Sequence, residues 1–163
     1  NNMLQEFMET LEIEYEEYDE RNQKVDELLP YWAAVPSGYP LKGTYITSGY
    51  GYRKNPFNSR KKEFHRGIDL KAYYKQQVMA TGKGTVVSAK YDGTYGYSIL
   101  IDHGYGFKTR YAHNSKLLVK AGTVVERGTV IALAGSTGRS TGTHLHYEVI
   151  KNGSTVNPND YLN

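Results

Sequence analysis

Glycine and proline set the layout of this chain before any other residue is read. All 17 Gly and all five Pro lie beyond position 29, and the first 29 residues contain neither. A stretch free of both and rich in Glu and Leu reads as one helix, whereas a stretch interrupted every few residues does not. Leu4, Leu11, Tyr18 and Val25 fall seven apart, with Phe7 or Met8, Tyr15 and Leu28 or Leu29 between them. That is a heptad-like apolar stripe, broken where Asn22 takes an apolar position. Residues 1–29 therefore read as a coiled-coil stub, a handle for a protein partner or a second copy, rather than a helix packed on its own domain. The polar face is acidic, which argues against a membrane-surface helix.

Charge divides at the same place. Residues 1–29 hold ten acids against Arg21 and Lys24, a net charge of −8, while residues 30–163 hold 18 bases against seven acids, a net of +11. No Cys is present, so disulfides, Cys-ligated zinc and thiol nucleophiles are excluded. No apolar run approaches the ~20 residues of a membrane-spanning helix. The chain opens on Asn, which points to a fragment, so any export signal or membrane anchor would lie upstream of it.

From Pro30 the stretch PYWAAVPSGYPLKG is dense in Pro and Gly, and residues 30–40 read as a linker into the domain. From Leu41 onward, short Val-, Ile-, Thr- and Tyr-rich runs such as GTVVSAKYDG and YSILIDHG alternate with Gly turns. Their spacing predicts a mainly β chain: an antiparallel, sandwich-like sheet domain over 41–163, preceded by the N-terminal α-helix. A small biotin- or lipoate-carrying β domain would need a displayed Lys, and Lys83 in TGKGT lacks the flanking residues.

Chemistry concentrates in histidine. His65 and Asp69 stand four apart in FHRGIDL; His144 and His146 stand two apart in THLHYEV, on one face of one strand; His113 ends RYAHNS. Imidazole nitrogen with carboxylate oxygen is a ligand set that zinc accepts, and three protein ligands leave a fourth tetrahedral place open. His103, in IDHG, reads as a residue that orients a loop. No HEXXH motif occurs, which excludes the helix zincins.

The segments SGYGYRKNPF, FHRGIDL, TRYAHNS and GSTGRSTGTHLHYEV, in this order, resemble the LytM/lysostaphin-type peptidases, family M23. These are zinc endopeptidases that cut peptide cross-links of bacterial peptidoglycan. The resemblance runs from about Leu41 to Tyr161. It implies that His65, Asp69 and His146 bind Zn2+, and that His113 and His144 flank the open position without ligating, one of them as general base. Which of the two is the base stays open. Arg53 is a candidate for a substrate carboxylate or a structural ion pair, and Tyr50 and Tyr97, with Tyr52 and Tyr95, are candidates for the cleft.

The resemblance implies a cell-wall endopeptidase acting outside the cytoplasmic membrane, with the D-alanyl–diaminopimelate cross-link favoured over glycyl bridges. The alternative is a catalytically idle member of the same fold that binds or activates another wall hydrolase. All five site positions are filled, which favours the enzyme. The bases are scattered and no nucleic-acid module is recognisable, so nucleic acid is not expected as a partner. The acidic helix is the expected assembly handle or regulator.

Overall fold

The computed structural model describes residues 2–163, so residue 1 of the expected helical segment lies outside it. Helix α1 runs Asn2–Ala34 and contains Pro30. The helix was expected to end at residue 29. A proline removes its own N–H from the ladder but already holds a helical φ, and no glycine follows until Gly38, so the helix continues. The expected linker 30–40 is likewise shorter than its composition suggested. Ser37 N–H donates to the Thr81 carbonyl, Gly38 N–H to that of Tyr161, both at 2.9 Å, and the carbonyl of Pro40 accepts from Met79 N–H at 2.8 Å. Leu41 is buried in the core. The chain forms two compact units, the helix and the β unit beginning at Ala34.

The β unit contains β1 (Ile46–Ser48), β2 (Gly51–Asn55), β3 (Asn58–His65), β4 (Ile68–Lys71), β5 (Gln77–Met79) and β6 (Gly84–Asp92). It continues with β7 (Gly96–Gly104), β8 (Phe107–Leu117), β9 (Val124–Val125), β10 (Val130–Ala134), β11 (His144–Lys151) and β12 (Ser154–Val156). Ten of these strands form one antiparallel sheet in the order β1-β4-β11-β8-β7-β6-β9, with β12 beside β11 and β5 beside β10; β2 and β3 form a separate hairpin.

Two features of this sheet position everything that follows. The first is alternation along the central strands. In β11, Leu145, Tyr147 and Val149 face the core and are fully buried, so His144, His146 and Glu148 share the opposite face. In β4, Ile68 and Leu70 enter the same core and leave Asp69 on the other side. The second feature is a change of partner. β8 pairs with β11 as far as Ala112, opposite His146, and then with β10 from Asn114, opposite Ala134. His113 sits between the two ladders and has φ +65°, a left-handed conformation uncommon for a non-glycine residue.

If the segment before β1 belongs to the core, Leu41→Ala lowers unfolding stability by about 2–4 kcal/mol. Urea unfolding of the chain measures this. A change within about 0.5 kcal/mol, typical of a surface tether, would return the segment to linker status.

Candidate metal centre

Asp69 and His146 are direct cross-strand partners in the β4–β11 ladder, and their side chains leave the same face. His65 ends β3, and Gly67 carries the chain from it into β4. A Cβ at Gly67 would lie 2.3 Å from the Tyr147 carbonyl oxygen, so only glycine lets this turn press against β11.

Three donor atoms converge. His65 Nε2 lies 3.0 Å from His146 Nδ1 and 3.2 Å from Asp69 Oδ1, and His146 Nδ1 lies 3.0 Å from Asp69 Oδ1. Bonds of ~2.0 Å to a tetrahedral zinc ion would set such edges at about 3.3 Å. Proton placement supports a cation. His65 Nδ1–H donates to the Gly49 carbonyl at 2.7 Å, and His146 Nε2–H donates to Glu148 Oε1 at 3.0 Å. In the neutral rings both remaining nitrogens then carry lone pairs, which face each other and a carboxylate oxygen. Such an arrangement is repulsive on its own and attractive around a divalent ion, so these residues fit a metal.

The surrounding contacts hold that geometry. Arg53 donates from Nη1 to Asp69 Oδ2 at 2.9 Å and to Ser48 Oγ, and from Nε to Glu63 Oε1 at 3.1 Å. Its guanidinium thus holds Oδ2 and leaves Oδ1 facing the two imidazole nitrogens. Burial alone would raise the Asp69 pKa, but the hydrogen bonds that His146 and His65 donate when protonated outweigh it and keep the carboxyl well below the usual range. At His146, burial lowers the pKa, while the hydrogen bonds that the protonated ring makes to Asp69 and Glu148 bring it out above the ordinary value. A proton on His146 therefore competes with a metal ion.

Beside the three donors stand two further imidazoles. His113 Nδ1–H donates to the Thr137 carbonyl at 2.7 Å, and His144 Nδ1–H donates to that of Gly142 at 2.8 Å. Each ring thereby keeps its Nε2 lone pair. The two ring centroids are 4.8 Å apart, and His144 Nε2 lies 3.7 Å from Asp69 Oδ1. Burial first, then the charge of the neighbouring imidazoles, pushes the His113 pKa down to about 4.

All five residues line a single cleft of about 560 Å³, walled by the β2–β3 hairpin on one side and the loop after β10 on the other. Arg139 of that loop stacks on Phe57 at 4.4 Å and donates to Asn55 Oδ1 at 3.1 Å, joining the walls. Of the tyrosine candidates only Tyr95 lines this cleft. Tyr50 spends its hydroxyl on the Thr155 carbonyl at 2.7 Å and its ring on Phe64, and Tyr97 packs edge-on against Tyr91. Both candidates are therefore corrected: their side chains stabilise neighbouring strands and stand outside the cleft lining. Arg53 lines the cleft but is held by Asp69 and Glu63, so the ion-pair reading replaces that of a free carboxylate binder. His103 is tied to the Lys83 carbonyl and Thr109 Oγ1, away from the site. Sequence reasoning missed Glu148, although its place two residues beyond His146 on the same strand face was the available signal.

The model of Peptidase family M23 matches residues 63–158, which span every ligand candidate. The chain belongs to peptidase family M23. Among M23 relatives it is 44% identical over 115 residues to the peptidoglycan DD-endopeptidase ShyB of Vibrio cholerae, covering 69% of this chain and 27% of that protein. It is 43% identical over 119 residues to the DD-carboxypeptidase/endopeptidase Mpg of Neisseria meningitidis serogroup B, covering 73% and 27%. The chain thus spans about a quarter of the length of these curated relatives. Among solved structures, a zinc containing peptidase from Vibrio cholerae superposes with a TM-score of 0.70 at 40% identity, over 75% of this chain and 38% of that one. The catalytic domain of lysostaphin from Staphylococcus simulans gives 0.69 at 29% identity, over 78% and 98%.

Two outcomes test the centre. Zinc affinity, measured by chelator competition, falls as pH drops through the raised pKa of His146, because a proton then occupies the ligand nitrogen. His113, whose pKa is shifted the opposite way, stays neutral down to about pH 4; imidazole ¹⁵N shifts of the metal-loaded chain across pH 5–8 check this.

Proposed function

We propose that this chain is the catalytic domain of a zinc-dependent endopeptidase that hydrolyses peptide cross-links of bacterial peptidoglycan, outside the cytoplasmic membrane. The observation that carries the reading is the convergence of three metal-facing lone pairs with two imidazole lone pairs beside them in one cleft. The relatives named as peptidoglycan endopeptidases support the substrate class, and the solved zinc containing peptidase supports the metal.

In this reading His65 Nε2, Asp69 Oδ1 and His146 Nδ1 hold the zinc. A bound zinc acidifies water and polarises the scissile carbonyl. The chain's own residues supply the proton movement. An Nε2 lone pair of His113 or His144 accepts the proton of the attacking water, and the imidazolium N–H so formed delivers it to the departing amine. Both rings are held in the required tautomer by the backbone carbonyls of Thr137 and Gly142. Imidazolium also stabilises the negative charge that develops on the carbonyl oxygen.

Cations around the cleft favour a cross-link that carries carboxylates, the D-alanyl–diaminopimelate link. Lys54 and Arg66 line it, and among the described residues neither forms an ion pair. The acidic helix, with Leu4, Phe7, Leu11 and Val25 exposed, is the proposed handle for a protein partner. A catalytically idle regulator is not favoured, because all five site residues are present and converge.

Digestion of purified peptidoglycan with mass analysis of the products is the deciding experiment. The wild-type chain converts cross-linked muropeptides to monomers, while His146→Ala loses metal and activity, and His113→Ala keeps metal and loses turnover. Equal activity in all three overturns the enzyme. Arg66→Gln raises KM for diaminopimelate cross-links about tenfold with little change in kcat, the loss of one charged hydrogen bond worth about 1.5 kcal/mol. Steady-state kinetics on defined cross-linked peptides read this out.

A further inference from the structure

Glu148 is 2% exposed, yet its carboxylate is tied on three sides. Oε1 accepts from His146 Nε2–H at 3.0 Å and from the Tyr95 hydroxyl at 2.8 Å, and Oε2 accepts from Arg110 Nε at 3.2 Å. Tyr95 ends the tight Gly93–Tyr95 turn between β6 and β7. Arg110, on β8, lays its guanidinium over the Tyr95 ring at 4.3 Å and reaches Asp92 Oδ2 at 3.4 Å. Two elements besides its own strand thus converge on one carboxylate beside the three donors.

We propose that Glu148, locked by Tyr95 and Arg110, is a positioning residue that commits His146 to metal ligation through Nδ1 and sets how tightly the metal is held. The inference rests on the metal-centre reading above. An imidazole ligates through either nitrogen, and the partner of the other nitrogen decides which. Here the decision is made from behind: a carboxylate at Nε2 keeps the proton there and makes Nδ1 the more basic donor. Glu148 can do this only if it cannot turn away. Tyr95 shares Oε1 and Arg110 holds Oε2, so both oxygens are tied in place and the buried carboxylate is paired with a positive charge. Arg110 touches neither ligand nor cleft opening and acts through Glu148.

Metal binding tests this without any peptidoglycan. Chelator competition on the full chain, with zinc and with cobalt as a coloured substitute, is compared for wild type, Glu148→Leu, Glu148→Gln and Tyr95→Phe. Glu148→Leu weakens zinc binding about 10- to 100-fold, the usual consequence of removing a ligand's outer hydrogen-bond partner. Glu148→Gln keeps an acceptor for Nε2–H and recovers most of that loss, which a purely space-filling role would not produce. Tyr95→Phe, at a part-exposed position that tolerates the change, gives an intermediate loss and shifts the visible spectrum of the cobalt form. Unchanged zinc affinity and an unchanged cobalt spectrum in Tyr95→Phe overturn the proposal, whether or not Glu148→Leu folds. A wild-type chain that binds neither metal overturns the metal centre itself, a distinct result.

Discussion

Asp69 and His146 face each other across the β4–β11 ladder, and the rest of the site is arranged around that pair. Their register is fixed by the residues that flank them: Ile68, Leu70, Leu145 and Tyr147 must enter the core, and a slip of one position would send Asp69 and His146 inward instead. Placing a carboxylate oxygen against two imidazole lone pairs is unfavourable in the metal-free protein. The arrangement persists because each group is held from its far side, by Arg53, Gly49 and Glu148 respectively. Core packing supplies the stability that the polar face consumes.

The His113 side of the cleft depends on irregular backbone. His113 occupies the gap where β8 exchanges β11 for β10, and its left-handed φ turns the ring into the cleft rather than along either ladder. Its partner, the Thr137 carbonyl, belongs to a loop that sits hard against the β6–β7 turn. A Cβ at Gly138 would approach Gly96 N within 2.3 Å, and Tyr97 N–H donates to Thr137 Oγ1 at 3.0 Å. The tip that carries Tyr95 to Glu148 therefore also braces the loop that orients His113. His146 and His113 share one support.

Much of this was legible in the sequence because strand periodicity is strict. His144 and His146, two apart in a β run, had to share a face, whereas His65 and Asp69 were joined to them only by the family resemblance. What stayed hidden was every assignment made by a contact distant in sequence. Arg53 is spent on Asp69, 16 residues on, and Tyr50 on Thr155, 105 residues on. Tyr97 packs on Tyr91 across a hairpin, where tyrosine-rich turns gave no hint of which side faced the cleft. The helix passing through Pro30, and the docking of residues beyond Val35 onto the β unit, reflect the same limit, since composition marks breakers but not the partners that override them.

β11 carries two sets of side chains that never meet. Leu145, Tyr147 and Val149 belong to the core, while His144, His146 and Glu148 belong to the cleft. Evolution or a designer can therefore rewrite the chemistry by substituting even-numbered positions while the hydrophobic half remains unchanged. Insertion or deletion of a single residue has no such freedom, because it exchanges the two sets at once. Along this strand, side chains are negotiable and length is not.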